Sequence, residues 1–339
     1  MNVEKITELF TLDLHELGEM ADSINRANGN YVTFVINKHI NYTNICMSRC
    51  PICAFYAKSN AEGYLMSVEE VVNAAREAWR NGATELHIVG SHNPAVTLEY
   101  FEEIFSRIKE EMDVTIKALT ATEIHFLAEK EGLKVKEVLK RLRDAGLDAM
   151  PGGGAEILKD EIRAKICPDK AKSQEWLEVM RTAHKLGIKS NATMLFGHVE
   201  SYEDRAEHLY QLYRLQKETG GFMAFIPLVF HPDNTKFSTL RKASPVDVLK
   251  TIAVSRIVLK NFRAIRAYWV MLGEKLTQVA LNYGANDVDG TLMGENISHA
   301  AGAKTPKELT VERLVKLIKG AGKVPAQRDT FNNILRVFE

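Results

Sequence analysis

The feature that most constrains this chain is an alternation. Short apolar runs of strand length recur between longer segments with helical periodicity, along nearly all of its 339 residues. The runs are YVTFVI (31–36), ELHIVGS (85–91), VTIKAL (114–119), LDAMPGG (147–153), KSNATMLFG (189–197), FMAFIPLVF (222–230) and AIRAYWVM (264–271), with a weaker eighth near DVDGTL (287–292). The helices between them carry start and stop signals. Ser67 and Glu70 have capping-box spacing, and behind them Val68, Val71, Val72, Ala75 and Trp79 share one helical face. Ser244-Pro245 and Thr305-Pro306 each place a cap residue before a proline suited to the first helical position. Gly82, Gly146 and Gly187 follow helical patterns where a left-handed residue ends a helix. Alternating strands and helices predict a parallel sheet covered by helices. About eight units in one chain favour an α/β fold closed into a (β/α)8 barrel of the TIM type, whose chemistry sits at the C-terminal strand ends. The polar and glycine-rich clusters NYTNIC, GSHNP, PGGGAE, NATMLFGH and HPDNT fall at those ends.

Residues 4–28 read as an amphipathic helical lead-in, so the expected organisation is an N-terminal helical extension (1–30), the barrel (31–325) and a C-terminal tail (326–339). Lys plus Arg and Asp plus Glu both number 44. That balance argues against a general nucleic-acid binder, which needs basic excess. The N-terminus lacks the apolar core of a signal peptide, and no apolar run approaches the ~20 residues that span a bilayer. No membrane partner is expected. Four cysteines, three of them clustered, do not make a secreted disulfide framework. The expected location is cytoplasmic.

The cluster is NYTNICMSRCPICAFY, with Cys46, Cys50 and Cys53 inside eight positions. Structural zinc closes its shell with four ligands, and no fourth Cys or His lies at short spacing. Cys167, in KICPDK, is distant and reads as an inert, partly buried thiol. Four-iron clusters usually take four thiolates, so three leave one iron open. An open position suits a catalytic site. A non-catalytic iron–sulfur or zinc protein is the alternative of another class.

In this setting, CxxxCxxC followed by an aromatic resembles the signature of the radical S-adenosylmethionine enzymes. The likeness extends through PGGGAEIL, RAKICPDK, RTAHKLGIKSNATMLFGHVES, GGFMAFIPLVFHPDNT and RAYWVMLGEKLTQVALNYGANDVDGT, over roughly residues 30–300. Within that family these segments resemble the aminofutalosine synthases of the futalosine route to menaquinone. Cyclic dehypoxanthine futalosine synthases and the tyrosine-using subunit of deazaflavin-cofactor synthase are close relatives that abstract hydrogen instead. The resemblance implies a 4Fe-4S cluster on Cys46, Cys50 and Cys53, with S-adenosylmethionine on the open iron as co-substrate. It implies a small-molecule substrate with two carboxylates, 3-[(1-carboxyvinyl)oxy]benzoate, and an electron donor such as flavodoxin or ferredoxin. The sequence departs from the relatives at Ile52, where an aromatic is common, and in GSHNP, where Ser91 replaces a second glycine.

On this reading Phe55 and Tyr56 flank the adenine, and Gly90 and Ser91 face the methionine group. Glu156 receives the ribose hydroxyls. Asn191 and Thr193, on one face of a strand, reach cofactor or substrate. Arg266, inside an apolar strand, offers a bidentate partner to a substrate carboxylate, with Tyr268 on the same face. An internal ion pair to a barrel carboxylate is the plainer reading of Arg266. His198 and His231 are candidates for a proton or a donor at strand ends.

Overall fold

The computed structural model describes residues 1–27 and 29–339. Eleven strands form in chain order: β1 (Tyr31–Val35), β2 (Asn37–Asn41), β3 (Glu85–Val89), β4 (Thr115–Ala118), β5 (Ala149–Met150), β6 (Lys189–Phe196), β7 (Phe222–Val229), β8 (Ala264–Ile265), β9 (Asp287–Gly290), β10 (Val324–Arg328) and β11 (Ile334–Val337). Strands β2 to β8 make one parallel sheet in sequence order. The curled sheet is completed by β9 and its continuation. Asp287 bridges to Arg266 beyond β8, and Met293 bridges to Lys38 of β2, both in parallel sense. The DVDGTL segment thus stands in the eighth position.

Two differences from the sequence reading matter. The barrel's first strand is β2, not β1, and the cysteine loop follows it. Strand β1 belongs to a second sheet, ordered β11-β10-β1-β9. Residues 326–339, set apart as a tail, supply the end of β10, which pairs with β1, and β11. Asn37, His39 and Asn41 are a polar set on one face of β2, so hydrophobicity gave no strand signal there. The AIRAYWVM run is also shorter as a strand than expected. It extends only over Ala264–Ile265, and Trp269–Leu272 turns helical, with the Trp269 indole N–H donating to the Gly290 carbonyl at 2.8 Å.

The helical signals act mostly as their chemistry dictates. Ser67 and Glu70 form the reciprocal capping box that opens Val68–Arg80, and Val71, Val72, Ala75 and Ala78 are its buried face. Trp79 is 40% exposed, so the stripe turns one residue short of it. Ser244 caps Pro245–Val258. Thr305-Pro306 starts no helix: the Thr305 hydroxyl donates to Val270, and the next long helix is capped by Thr310. The lead-in forms two helices, Val3–Leu9 and Leu14–Ala27, tied to the barrel where Lys250 Nζ donates to the Phe10 and Leu12 carbonyls.

Candidate active site

Alternation along the barrel strands decides what faces inward. On β2, Asn37 and His39 point one way, while Lys38 and Ile40 point the other. Register places Asn37 beside Glu85, and His39 beside His87, which in turn is beside Lys117 of β4. Strands β2, β3 and β4 therefore carry two polar layers into the lumen, while Leu86, Ile88, Ile116 and Ala118 are fully buried on the other face. A cavity of about 300 Å³ opens above these layers. Cys46, Cys50 and Cys53 line one end of it, and His39, His87, Lys117 and Arg266 line the other.

The cysteine loop is braced from the β3 end. Met47 N–H donates to the His92 carbonyl, Ser48 Oγ lies 2.8 Å from His92 Nδ1, and Asn93 Nδ2 donates to Thr43 Oγ1 at 2.9 Å. The His92 ring stacks on Phe126 at 4.9 Å, and burial depresses its pKa to about 3. The unusual GSHNP run thus serves as loop support. Gly90 admits no side chain, because a Cβ there would meet the Tyr42 ring at 2.6 Å. The Tyr42 hydroxyl and the Gly90 N–H both donate to Glu123 Oε1, at 2.7 and 2.9 Å, which pins the end of β3 to the helix after β4.

All four cysteines are free thiols. Burial pushes Cys50 up to about 12 and raises Cys53 as well, although Lys170 opposes both shifts and the Phe55 and Tyr56 amides favour the Cys53 thiolate. Iron binding, which deprotonates a coordinating thiol outright, is what overcomes that burial. Among the described residues no three His, Cys, Asp or Glu side chains converge on a single ion. A cubane asks for no such convergence, since each thiolate takes a different iron. Three soft donors on one wall of an enclosed cavity, with amide dipoles and a cation beside them, fit an iron–sulfur cluster. Cys167 is 1% exposed and lies outside the cavity wall.

The other expected residues are distributed unevenly. Phe55, Tyr56, Gly90, Ser91, Glu156, Asn191 and Thr193 all line the cavity. Glu156 sits in the left-handed region at φ 45° and is bound by Lys170 Nζ at 2.9 Å. Burial alone would raise its carboxyl, but the Lys170 ammonium outweighs burial and holds it below the usual range. Thr193 Oγ1 donates to the Gly152 carbonyl at 2.7 Å, so its hydroxyl proton supports the glycine turn. A Cβ on Gly152 would lie 2.6 Å from the Ala192 backbone, which is why a glycine is needed there. Asn191 Oδ1 is buried without a partner among the described residues.

Arg266 and Tyr268 line the far end together, and so does His231, whose Nε2–H donates to the Met271 carbonyl at 3.1 Å. Arg266 is paired internally: Nε is 3.1 Å from Asp287 and Nη1 3.5 Å from Asp289. Those contacts have the distance of ion pairs but not the alignment of hydrogen bonds, so Nε, Nη1 and Asp289 Oδ1 stay unsatisfied among the described residues. Asp287 is claimed more firmly by Arg328 and Thr33. His198 is the correction. It is not on the cavity wall; its ring is buried, with Nε2 3.0 Å from the Leu195 carbonyl and Nδ1 2.9 Å from Glu200. The left-handed Gly197, at φ 89°, turns the chain after β6 and carries His198 away from the lumen.

His39, His87, Lys117 and Lys170 lay outside the sequence reading. For His87 and Lys117 a signal is present in ELHIV and TIKA, where polar residues alternate with apolar ones and mark a strand with a polar inner face, but Lys38 breaks that alternation beside His39, and Lys170 lies in a loop.

A cysteine-lined chamber at the C-terminal mouth of a parallel barrel defines a radical S-adenosylmethionine protein, and the comparisons agree. Residues 40–212 match the Radical SAM superfamily, and residues 219–337 match the CofH/MqnC C-terminal region. The chain belongs to the radical S-adenosylmethionine superfamily, which implies a 4Fe-4S cluster and S-adenosylmethionine. Within it, the chain is 43% identical to aminodeoxyfutalosine synthase of Thermus thermophilus, over 97% of this chain and 90% of that protein. It is 42% identical to the 5-amino-6-(D-ribitylamino)uracil–L-tyrosine 4-hydroxyphenyl transferase of Methanocaldococcus jannaschii, over 95% and 93%. The fold is similar to that of methylornithine synthase, with a TM-score of 0.76 at 18% identity over 96% of this chain and 94% of that one. The hydrogenase maturase HydG gives the same TM-score at 16% identity over 96% and 73%. Among the described residues no helix is long and apolar enough to cross a membrane.

Proposed function

We propose that this protein is an aminodeoxyfutalosine synthase. It joins the 5′-deoxyadenosyl carbon of S-adenosylmethionine to the vinyl carbon of 3-[(1-carboxyvinyl)oxy]benzoate. With one water consumed, the products are 6-amino-6-deoxyfutalosine, methionine and bicarbonate. A 4Fe-4S cluster held by Cys46, Cys50 and Cys53 would, when bound and reduced, supply the electron for cleavage of the sulfonium and recover it as product forms, since the overall reaction is redox-neutral.

The chain's own residues do the rest. Cys46, Cys50 and Cys53 hold three irons. The backbone at Gly90 and Ser91 faces the methionine group, Glu156 takes the ribose, and Phe55 and Tyr56 border the adenine. Asn191 offers an open acceptor between the two ligands, and Thr193 keeps the glycine turn in place beneath them. Tyr268 completes the far wall as a donor, and His231, whose Nε2–H goes to the Met271 carbonyl, offers Nδ1 as an acceptor.

The observation that carries this reading is the pair of buried cations facing the far end, Lys117 and Arg266. A substrate with two carboxylates asks for two such groups, and the unsatisfied N–H bonds of Arg266 are available to one of them. The second reading is the tyrosine-using transferase. It is favoured by Asp289 and Glu295, carboxylates on the same wall that suit an ammonium.

The test is a product assay by mass spectrometry on reconstituted, reduced protein under strict anaerobiosis. S-adenosylmethionine is supplied with the enol ether, or with L-tyrosine and 5-amino-6-ribitylaminouracil. An adduct with the mass of aminodeoxyfutalosine is expected. 5′-Deoxyadenosine with a tyrosine-derived product would replace this reading by the second.

A further inference from the structure

Four enclosed histidines use both ring nitrogens, and His92 and His231 use one each. His184 Nδ1 and Nε2 lie 2.7 and 2.9 Å from Thr219 and Ser190 hydroxyls. His208 accepts from the Leu158 N–H and donates to the Thr193 carbonyl, both at 3.0 Å. His299 lies between Glu295 at 2.7 Å and the Thr305 carbonyl at 2.9 Å. His39 and His87 break that pattern. Their rings stack at 4.3 Å and 11°, yet among the described residues neither ring makes a hydrogen bond. Both rings are partly accessible, and what they reach is the cavity, since both line it inside the barrel. Four imidazole nitrogens are thus left for a ligand.

The surroundings define that ligand. Register puts Lys117 next to His87, completing a row of three across β2, β3 and β4. Below it, Glu85 holds Lys117 and Asn37 with one oxygen, while the other has no partner among the described residues. The other carboxylates that face the stack are Glu295, held by His299 and the Ser298 amide, and Asp289, which lies 3.5 Å from Arg266 Nη1 with its Oδ1 unsatisfied among the described residues. Burial, reinforced for His87 by His39, Lys117 and Arg266, keeps both imidazoles neutral at pH 7. A neutral imidazole has one N–H to donate. Two of them beside an ammonium form a donor triplet at the cavity wall, largely removed from bulk water, where unmet acceptors are costly.

We propose that His39 and His87 form a carboxylate clamp, their N–H groups donating to the carboxylate that Lys117 attracts, and so set which end of the substrate lies deepest. The clamp rests on the reading that a carboxylate substrate occupies this end of the cavity. It adds to that reading two residues and a direction of entry. Because both donors are neutral, the clamp neutralises no charge and works by orientation, while Lys117 supplies the attraction.

The experiment is calorimetric titration of the holoenzyme with its cluster oxidised, so that no turnover occurs, in the presence of S-adenosylmethionine. The titrants are 3-[(1-carboxyvinyl)oxy]benzoate and its two monomethyl esters. His39→Phe and His87→Phe keep a flat ring and remove the donors. Each is expected to raise Kd for the diacid about tenfold, the worth of one hydrogen bond to a charged group. Iron content and S-adenosylmethionine affinity should stay unchanged, and the ester that masks the clamped carboxylate should bind variant and wild type alike. His39→Asn and His87→Asn, which retain a donor, should recover most of the affinity. Equal diacid binding by the Phe variants, equal losses for the diacid and both esters, or no rescue by Asn would overturn the clamp. If the wild type binds L-tyrosine and not the diacid, the functional reading fails. The clamp then stands only if the Phe variants weaken L-tyrosine more than tyramine. Binding of neither acid overturns both.

Discussion

The two ends of the cavity are built differently. The cysteine end is made of loops beyond the strands, held by side chains reaching across to it: His92 and Asn93 on the cysteine loop, Lys170 on Glu156, Thr193 on the glycine turn. The floor of the far end is strand interior, where backbone register alone lines up His39, His87 and Lys117, and Arg266, Tyr268 and His231 join it from just beyond β8 and β7. Loops can close on a bulky cofactor and its cluster. Strands fix spacing rigidly, which suits selection among small acids.

The largest expected effect breaks the loop end only. Cys50→Ser should lose most bound iron after reconstitution and reduce S-adenosylmethionine cleavage to background, while the apo protein melts as the wild type does. A variant that still assembles a full cluster would remove Cys50 from the ligand set.

At the strand end the leading effect should be on stability. Lys117→Met leaves Glu85 charged and buried without its ammonium, a change that costs about 3–5 kcal/mol. The pair is buried on both sides, at 2% and 0% exposure, so solvent cannot take the place of Lys117. Replacing both partners, E85M with K117M, should recover most of the urea midpoint. Iron content should not change in either variant, and a fall in it would mean that the two ends are coupled.

This division also explains what could be read from the sequence. Cys46, Cys50 and Cys53 lie within eight residues, so their chemistry survives in local spacing. Apolar strands such as FMAFIPLVF are legible because they are buried on both faces. Strand β2 is not, since Asn37, His39 and Asn41 give it a polar inner face. His39, His87 and Lys117 are 48 and then 30 residues apart, and only sheet register makes them neighbours. Arg266 lines the cavity, but its pairing with Asp287 depends on the closure of the sheet between β8 and β9, which linear order does not show. His198 looked like a strand-end donor because linear order does not show the turn at Gly197.

The histidines provide a pH test that separates structural rings from the clamp. Burial holds His208 at a pKa of about 3, although the Thr193 carbonyl favours its charged form. The unfolded chain keeps a value near 6.5. Between those values the unfolded state binds more protons, so stability is full above about pH 6.5 and falls as pH drops towards 3. Across pH 7 to 4 the contribution is on the order of 3 kcal/mol. Unfolding by urea at a series of pH values should show a shallower slope for His208→Gln than for wild type. An unchanged slope would mean that His208 is protonated in the fold.

The smallest expected effect is at His198, and it is the one that keeps the comparison sharp. His198 and His231 follow β6 and β7 at equivalent strand ends, yet only His231 reaches the cavity. In His198→Gln the Leu195 carbonyl loses or weakens one donor, worth about 1 kcal/mol. Glu200 keeps the Gly197 and His198 amides, at 2.6 and 2.9 Å, and Arg205 Nε at 2.9 Å, so its carboxylate is not stranded. The melting point should fall by a few degrees, and kcat should stay within about twofold of wild type, because no atom of the ring faces the reactants. His231→Gln should do the reverse, lowering kcat/KM with little change in stability, since its ring N–H meets the Met271 carbonyl of a single helical turn and the rest of the ring borders the substrate chamber. If His198→Gln lowers turnover as much as His231→Gln, the polar network through Glu200 and Arg205 must reach the site through β6, and the separation between loop end and strand end would need a third, connecting element.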